Sequence, residues 1–448
     1  MVRRPSFLVL AAIMMAMLLW FGRPATAQTT TPTSANLWVG ASGSCTRAAS
    51  AAAYNSATSC SSMQAALSAA SGGDTVLILN GTYAGQTLSS GKSTTVSFYA
   101  QTYGKVLLTG GLSINTDKVH VVGVTEASGA SDSAGGLTIQ DSSSTAWTDV
   151  LVDGFHGKNA FIAASGVTVK NSEFGNWSAC SGYTPSSGSC TGNCAIEDGF
   201  RFWSWGPGSA TAPSNDKIID SSIHDVSAPP DGVCGGGAGP PHVDAIQVYS
   251  GGSNITIDGV KFYGNATSAL QSGGGALSNW TIQNNYFGPT TCCNNLVWGQ
   301  ASCSGSLIVR NNVIANGNAY GVVNNVSCSG SPTYDFSSNI VLASTAACLA
   351  SGSVSGGYNV YATSGGATCG SNVKKCTPAW LNGVPSAANG YDVRIASTDT
   401  CAKGAGNPAD YAATDMLGNP RTAPDAGAFA ISSGTIVDPA TGLTAVVN

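Results

Sequence analysis

Two short stretches hold the residues best suited to chemistry. "EDGFRFW" (197–203) carries Asp198 and Arg201, and "PPHVDAIQVY" (240–249) carries His242 and Asp244. Two neighbouring carboxylates cannot both ionise cheaply, so one keeps its proton and becomes a general acid. At a glycosidic bond, a separation of roughly 5–5.5 Å suits retention and a wider one inversion. Arg201 and His242 would tune that charge or hold an acidic sugar. Gln247 and Gln271 would bind hydroxyls, and Trp203 and Tyr249 offer flat faces for sugar rings, with Trp205 and Trp298 as further candidates. His224, followed by Asp225, precedes a long insertion and joins the substrate-binding candidates. A simpler reading stands beside each of these. Aspartates cap strand entrances, a lone histidine bonds to backbone, and His224–Asp225 is a solvated turn. Lys261 and Arg310 read as plain surface.

The elements that must position these residues repeat. The segments 167–175, 217–225, 255–264, 280–288, 307–317 and 334–343 each hold a short β-branched strand, a polar pair and another apolar residue. Their anchors are Val169/Phe174, Ile218/Ile223, Ile257/Phe262, Ile282/Phe287, Val309/Ile314 and Phe336/Val341. Successive first anchors lie 49, 39, 25, 27 and 27 residues apart. A settled period of this kind predicts stacked coils of short strands. The two long intervals are insertions, and per-coil insertions gather on one face. Both flank the candidate residues.

Parallel pairing of successive coils is right-handed. The predicted fold is therefore all-β, a single-stranded right-handed parallel β-helix. Asn171, Asn284 and Asn311 share one corner slot and are expected to stack as a side-chain ladder. In the strands preceding the anchors, Phe200, Ile246, Leu270, Leu296 and Val322 should face inward. Arg201, Gln247, Gln271, Val297 and Val323 should face outward. Asp198 and Asp244 then fall at strand entrances, and carboxylates are rarely fully buried. An amphipathic stretch with Met63, Ala66, Leu67 and Ala70 at helical spacing predicts an N-terminal capping helix over the exposed strand edge.

Residues 1–27 read as an export signal, with Arg3 and Arg4, an apolar run and Ala25–Ala27 before the cleavage point. The expected organisation is a linker at 28–35, a β-helix domain at 36–430 and a tail at 431–448. Within the domain, the cap spans 36–83, the coils 84–362 and the C-terminal cap region 363–430. Loss of the signal leaves 15 basic against 23 acidic residues, a net charge of −8. That excludes a nucleic-acid partner and argues against a strongly polyanionic one. No later run is apolar enough to span a membrane, so a secreted or periplasmic monomer is expected. Fourteen cysteines then imply disulfides, with Cys45–Cys60 and Cys369–Cys376 the most plausible local bridges.

"MQAALSAASGGDTVLILNGTY" (63–83) resembles the N-terminal cap of the pectate-lyase-like β-helix superfamily, and "DMLGNPRTAPDAGAFA" (415–430) is similar to the tail of secreted right-handed β-helix repeat proteins. "HVDAIQ" resembles the "NTDGID" motif of polygalacturonases, which puts Asp244 at their catalytic aspartate. The Asp-Asp pair, Gly-His-Gly and Arg-Ile-Lys elements of that family are absent, as are the calcium-site aspartates and Arg-x-Pro-x-x-Arg of pectate lyases. Two functions follow as expectations. One is a polysaccharide-cleaving enzyme with Asp244, Asp198, His242 and Arg201 as its catalytic set. It needs no cofactor as a hydrolase; as a lyase, calcium would bridge Asp198 and Asp244. The other is a non-catalytic glycan-binding or adhesin-like β-helix.

Overall fold

The computed structural model describes residues 30–40, 43–127, 136–141, 146–178, 183–184, 189–190, 198–202, 212–227, 243–265, 268–290, 296–297, 302–315, 323–324, 329–330, 332–342, 354–362 and 368–431. The export signal, the first two residues of the linker, nearly all of the tail after 430, His242, Trp203, Trp205, Trp298 and Val322 lie outside them.

Nine successive coils contribute a strand to each of three sheets, and sheets I and II run on beyond them. Sheet I runs from Leu37–Val39 to Val354–Ser355, sheet II from Gly81–Tyr83 to Lys374–Lys375, and sheet III from Gln86–Ser89 to Val323–Asn324. All pairings within these sheets are parallel, and the chain visits them in the order I, II, III. This is the predicted right-handed parallel β-helix. The anchors pair as expected. Val169, Ile218, Ile257, Ile282, Val309 and Phe336 form one column of sheet I. Phe174, Ile223, Phe262, Phe287, Ile314 and Val341 form one column of sheet II. All are buried. Phe262 and Phe287 stack with ring centroids 4.9 Å apart and lock neighbouring coils, while Phe174 meets Phe200 edge-on at 5.6 Å across the interior of one coil.

The corner between sheets I and II explains the asparagines and corrects one expectation. Asn171, Asn284 and Asn311 do share a slot, each with φ between 50° and 56°, the left-handed conformation a tight corner requires. The ladder, however, is built one residue later. Asn285, Asn312, Asn339 and Asn359 are fully buried, and each side chain accepts from the backbone N–H of the coil before or gives its amide to a backbone carbonyl. Asn312 shows the complete pattern. Its Oδ1 accepts from Asn285 N at 2.9 Å and from Asn285 Nδ2 at 3.0 Å, while its Nδ2 donates to Ile282 O and Asn339 Oδ1.

A helix at Met63–Ala69 precedes the first coil. Ser62 caps it by accepting from Ala65 N–H, and Met63, Ala66 and Leu67 are buried. Gln86, on the first strand of sheet III, accepts from Met63 N–H and fixes the helix to that strand. Cys45–Cys60 ties down the segment before it. The other local bridge is corrected: Cys376 pairs with Cys401, not Cys369. Cys369 and Cys303 are each in a disulfide as well.

The C-terminal segment lies along the outer face of sheet II. Tyr286, Val313, Ile340 and Val360 form a second core with Val393, Ile395, Met416 and Phe429. Buried Arg421 donates to Asn284 Oδ1 and Gly427 O, which pins the segment to the corner. Lys261 and Arg310, expected as plain surface, both hold this segment, through Gly390 O and Asp410 respectively.

One buried acid breaks the apolar pattern. Asp216 sits one residue before the Thr168–Lys217 pairing, with Oδ1 accepting from Val167 N–H at 2.8 Å. It is 2% exposed, and its Oδ2 has no hydrogen-bond partner among the described residues. Burial raises its pKa well above the usual carboxylate range, against the lowering effect of the Val167 and Gly166 N–H groups. A raised folded-state pKa means stability is lost as pH climbs from the unfolded value, ~3.9, toward the folded one. Asp216→Asn keeps the Oδ1 acceptor without that loss. It should raise the thermal midpoint by several degrees near neutral pH and leave it nearly unchanged below pH ~4. Equal shifts at both pH values would contradict this account.

Candidate functional site

Sheet III carries the predicted constellation. Phe200, Ile246, Leu270 and Leu296 pair in one inward column, as expected. The last coil is shifted by one residue. Val323, not Val322, aligns with Leu296, and Asn324, not Val323, aligns with Val297. The outward row is continuous: Thr87, Ser113, Thr138, Phe161, Arg201, Gln247 and Gln271 are successive register partners. Neighbours in such a row are ~4.8 Å apart.

Asp198 and Asp244 lie at the entrances of adjacent strands, as expected, but both are 0% exposed. Backbone amides make that burial affordable. Asp198 Oδ1 accepts from Asp244 N–H, and Asp244 Oδ1 accepts from Ser268 N–H, both at 2.9 Å. Each carboxylate thus caps the coil that follows, and Ser268 continues the column. In the amide orientation that satisfies its neighbours, Gln247 donates to Asp244 Oδ2 at 2.5 Å and accepts from Gly273 N–H. Gln247 is therefore nearly buried, bound to the acid pair behind it. Gln271 is half-buried and accepts from Ser268 Oγ at 3.4 Å.

The remaining oxygen of Asp198 faces a different partner. Oδ2 accepts from the Tyr249 hydroxyl at 3.0 Å. Tyr249 follows the strand Ile246–Val248 on the parity of Gln247, so its phenol reaches back along the outer face to the strand entrance. The Asp198 carboxyl is pushed up to about 7, first by burial and then by the Asp244 charge. The Asp244 N–H, the Tyr249 hydroxyl and Arg201 oppose the rise. The Tyr249 hydroxyl is raised strongly, by burial and by the Asp198 carboxyl, and so keeps its proton. Arg201 lies 5.8 Å from the centre of the Phe161 ring, and its Nε is buried with no hydrogen-bond partner among the described residues. Phe161 is thus an aromatic it packs on; Trp203, the aromatic expected beside it, lies outside the described residues.

A raised carboxyl alone does not mark the place. Asp220, at the corner of sheets I and II, is also pushed to about 7, by burial and by Asp258. Asp198 differs in its neighbours: a tyrosine hydroxyl and an arginine on an outward face. Calcium between Asp198 and Asp244 does not fit this arrangement. The carboxylate oxygens face N–H and O–H donors, and among the described residues no three ligating side chains converge on a metal position.

His224 is not part of this group. It lies in the strand Ser222–Ser227 of sheet II, is 4% exposed, and is no solvated turn. Its Nδ1 pairs with Asp225 at 2.8 Å and its Nε2 with Glu173 at 3.1 Å. The ring stacks on Tyr263 at 4.6 Å, and Tyr263 stacks on Tyr391 of the C-terminal segment. Burial disfavours the imidazolium, but the Glu173 and Asp225 bonds outweigh it and the pKa is raised. This group therefore stabilises the fold fully below its unfolded value, ~6.5, and less as pH rises through the folded one. His224→Gln should lower the thermal midpoint by several degrees below pH ~6 and by progressively less at alkaline pH; a constant deficit would show the ring acts by packing alone.

Two residues escaped the sequence reading. Phe161 belongs to a coil whose strand, Ala160–Ala163, lacks the insertions that drew attention to its successors. Lys158 stands two residues before Ala160, the partner of Phe200, and so takes the strand-entrance position one coil before Asp198.

Compared by sequence, the chain matches no protein-family profile and no curated protein. Compared by structure, it is similar to pectate lyase Pel9A, at 14% identity over 90% of this chain and 97% of that one, with a TM-score of 0.48. It is also similar to PfbA, a surface adhesin of Streptococcus pneumoniae, at 14% identity over 67% and 81% and a TM-score of 0.39. The A-module of the Azotobacter vinelandii mannuronan C-5 epimerase AlgE4 follows at 12% identity over 70% and 84%, with a TM-score of 0.35. Among the described residues no helix is long and apolar enough to cross a membrane.

Proposed function

We propose that this is an extracellular polysaccharide-cleaving protein, with the glycan lying along the outward row of sheet III and Tyr249 serving as the proton donor. The hydrogen bond from Tyr249 to Asp198 carries this reading. Asp198 holds a proton near neutral pH. A protonated Asp198 donates to Tyr249 Oη, which turns the phenolic hydrogen toward the outer face. Tyr249 then protonates the leaving oxygen of the glycosidic bond, and Asp198 returns a proton to the phenolate. The acid is thus Tyr249 with Asp198 behind it. Asp244 holds the neighbouring negative charge that keeps Asp198 protonated. Arg201 and Gln271 orient the chain. Gln247 positions Asp244.

A non-catalytic glycan-binding role has one observation in its favour. Both carboxylates are fully buried and bonded to backbone N–H groups, which is sufficient reason for them in a stacked coil. A panel of plant, algal and microbial polysaccharides separates the two. Reducing ends or unsaturated products from wild-type protein, abolished in Tyr249→Phe, support cleavage. Retention of a glycan without any product supports binding alone.

A further inference from the structure

We infer that the glycan accepted by sheet III is neutral and that its cleavage is hydrolysis rather than elimination. The inference rests on the site proposed above and adds the substrate class. The outward face at the N-terminal end of the site is a field of uncharged hydrogen-bonding groups. Thr87, Ser113 and Thr138 form one row, and Asn115 and Gln140 lie two residues further along their strands. All are exposed or half-exposed. Hydroxyls and amides both donate and accept, as sugar hydroxyls do. Phe161 adds a half-exposed ring in the same row, a face for sugar C–H groups.

The charges point the same way. A polyuronate places a carboxylate on every sugar, and each desolvated carboxylate needs a cation or a donor fork. Among the described residues of the outward row, Arg201 is the one cation, and it already sits over Phe161. Lys158 stands at a strand entrance, off the row. The whole chain carries a net charge of −5, which repels a polyanion. Elimination removes a ring hydrogen made acidic by an adjacent carboxyl group, and a neutral sugar has none. Hydrolysis needs only water. Its oxygen bonds to the anomeric carbon, the C–O bond breaks, the leaving oxygen takes the Tyr249 proton, Asp198 reprotonates the phenolate, and the proton shed by the water returns through solvent to Asp198.

The test is affinity electrophoresis of the full chain in gels containing a neutral polymer (xylan, mannan, galactan or β-glucan) or a polyuronate (polygalacturonate or alginate), with products read both as reducing ends and as unsaturated-sugar absorbance. A neutral polymer should retard the protein equally from ~0.01 to ~1 M salt. Phe161→Ala should weaken that binding about 2–10-fold, and products should carry reducing ends without the absorbance. Retardation by a polyuronate that fades with salt, or unsaturated products, would overturn the inference while leaving the Tyr249 proton donor in place. Binding of a neutral polymer with no product supports the ligand class and sinks the cleavage proposed above. Absence of binding to every polymer overturns the inference.

Discussion

Tyr249→Phe should reduce the rate of glycan cleavage by about 10²–10⁴-fold, the usual worth of a positioned general acid. The substitution removes one oxygen. The ring stays over the strand entrance, and Asp198 keeps its Asp244 N–H donor. Glycan affinity should therefore change by less than the rate does. Comparison of kcat with KM checks this directly: the loss should fall on kcat. A loss confined to KM would make Tyr249 a binding platform and return the proton-donor role to an unassigned group. Loss of the phenol also removes one hydrogen bond from Asp198 Oδ2, at a cost of about 1 kcal/mol in stability, which is too small to mimic a catalytic defect by unfolding.

Asn312→Leu should destabilise the protein by about 3–6 kcal/mol. The side chain is fully buried, and its loss strands Asn285 N–H and Ile282 C=O and weakens the Asn285 amide. Each such group costs about 1–3 kcal/mol when left without a partner inside the protein. Leucine fills the volume but satisfies none of them. Because each coil contacts only its neighbours, the damage should spread toward the C-terminal coils and loosen the segment that covers sheet II. Denaturant titration should show a lower midpoint, with an added early transition. The control is Asn372→Gly, an exposed left-handed corner residue with φ 53°, where glycine is conformationally at ease and the cost should stay below ~1 kcal/mol. Similar losses at both sites would mean that the ladder contributes no more than any corner.

What could be read from the sequence divides along physical lines. The paired columns Val169–Phe336 and Phe174–Val341 were legible because inward positions of stacked coils demand large apolar side chains at a steady period. Register failed where that signal is degenerate. Val322 and Val323 are both apolar, so strand parity cannot choose between them. The ladder failed for a related reason. Asn284–Asn285 and Asn311–Asn312 are identical pairs in which one residue serves the left-handed corner and the other the buried ladder. Only three-dimensional placement tells them apart. The complete burial of Asp198 and Asp244 was not foreseen, because the compensating N–H groups come from coils 46 and 24 residues away in sequence. The reach of Tyr249 to Asp198 spans 51 residues and runs diagonally across the sheet, so no strand-local spacing announces it. His224 was misplaced because the polar run "HD" looks like a turn. In the fold it extends a strand, and carboxylates on its own and a neighbouring strand hold the ring.

The pH–rate profile of reducing-end release bears most directly on the central claim, that Asp198 supplies the proton behind Tyr249. Asp198 is pushed up to about 7, and the reaction requires its protonated form. The wild-type rate should therefore be level at acid pH and fall tenfold per unit above about 7. In Asp198→Asn, which preserves the acceptor for Asp244 N–H, the residual rate should lose that falling limb. A wild-type profile that runs flat through neutrality, or an Asp198→Asn profile that keeps the same limb, would contradict the account.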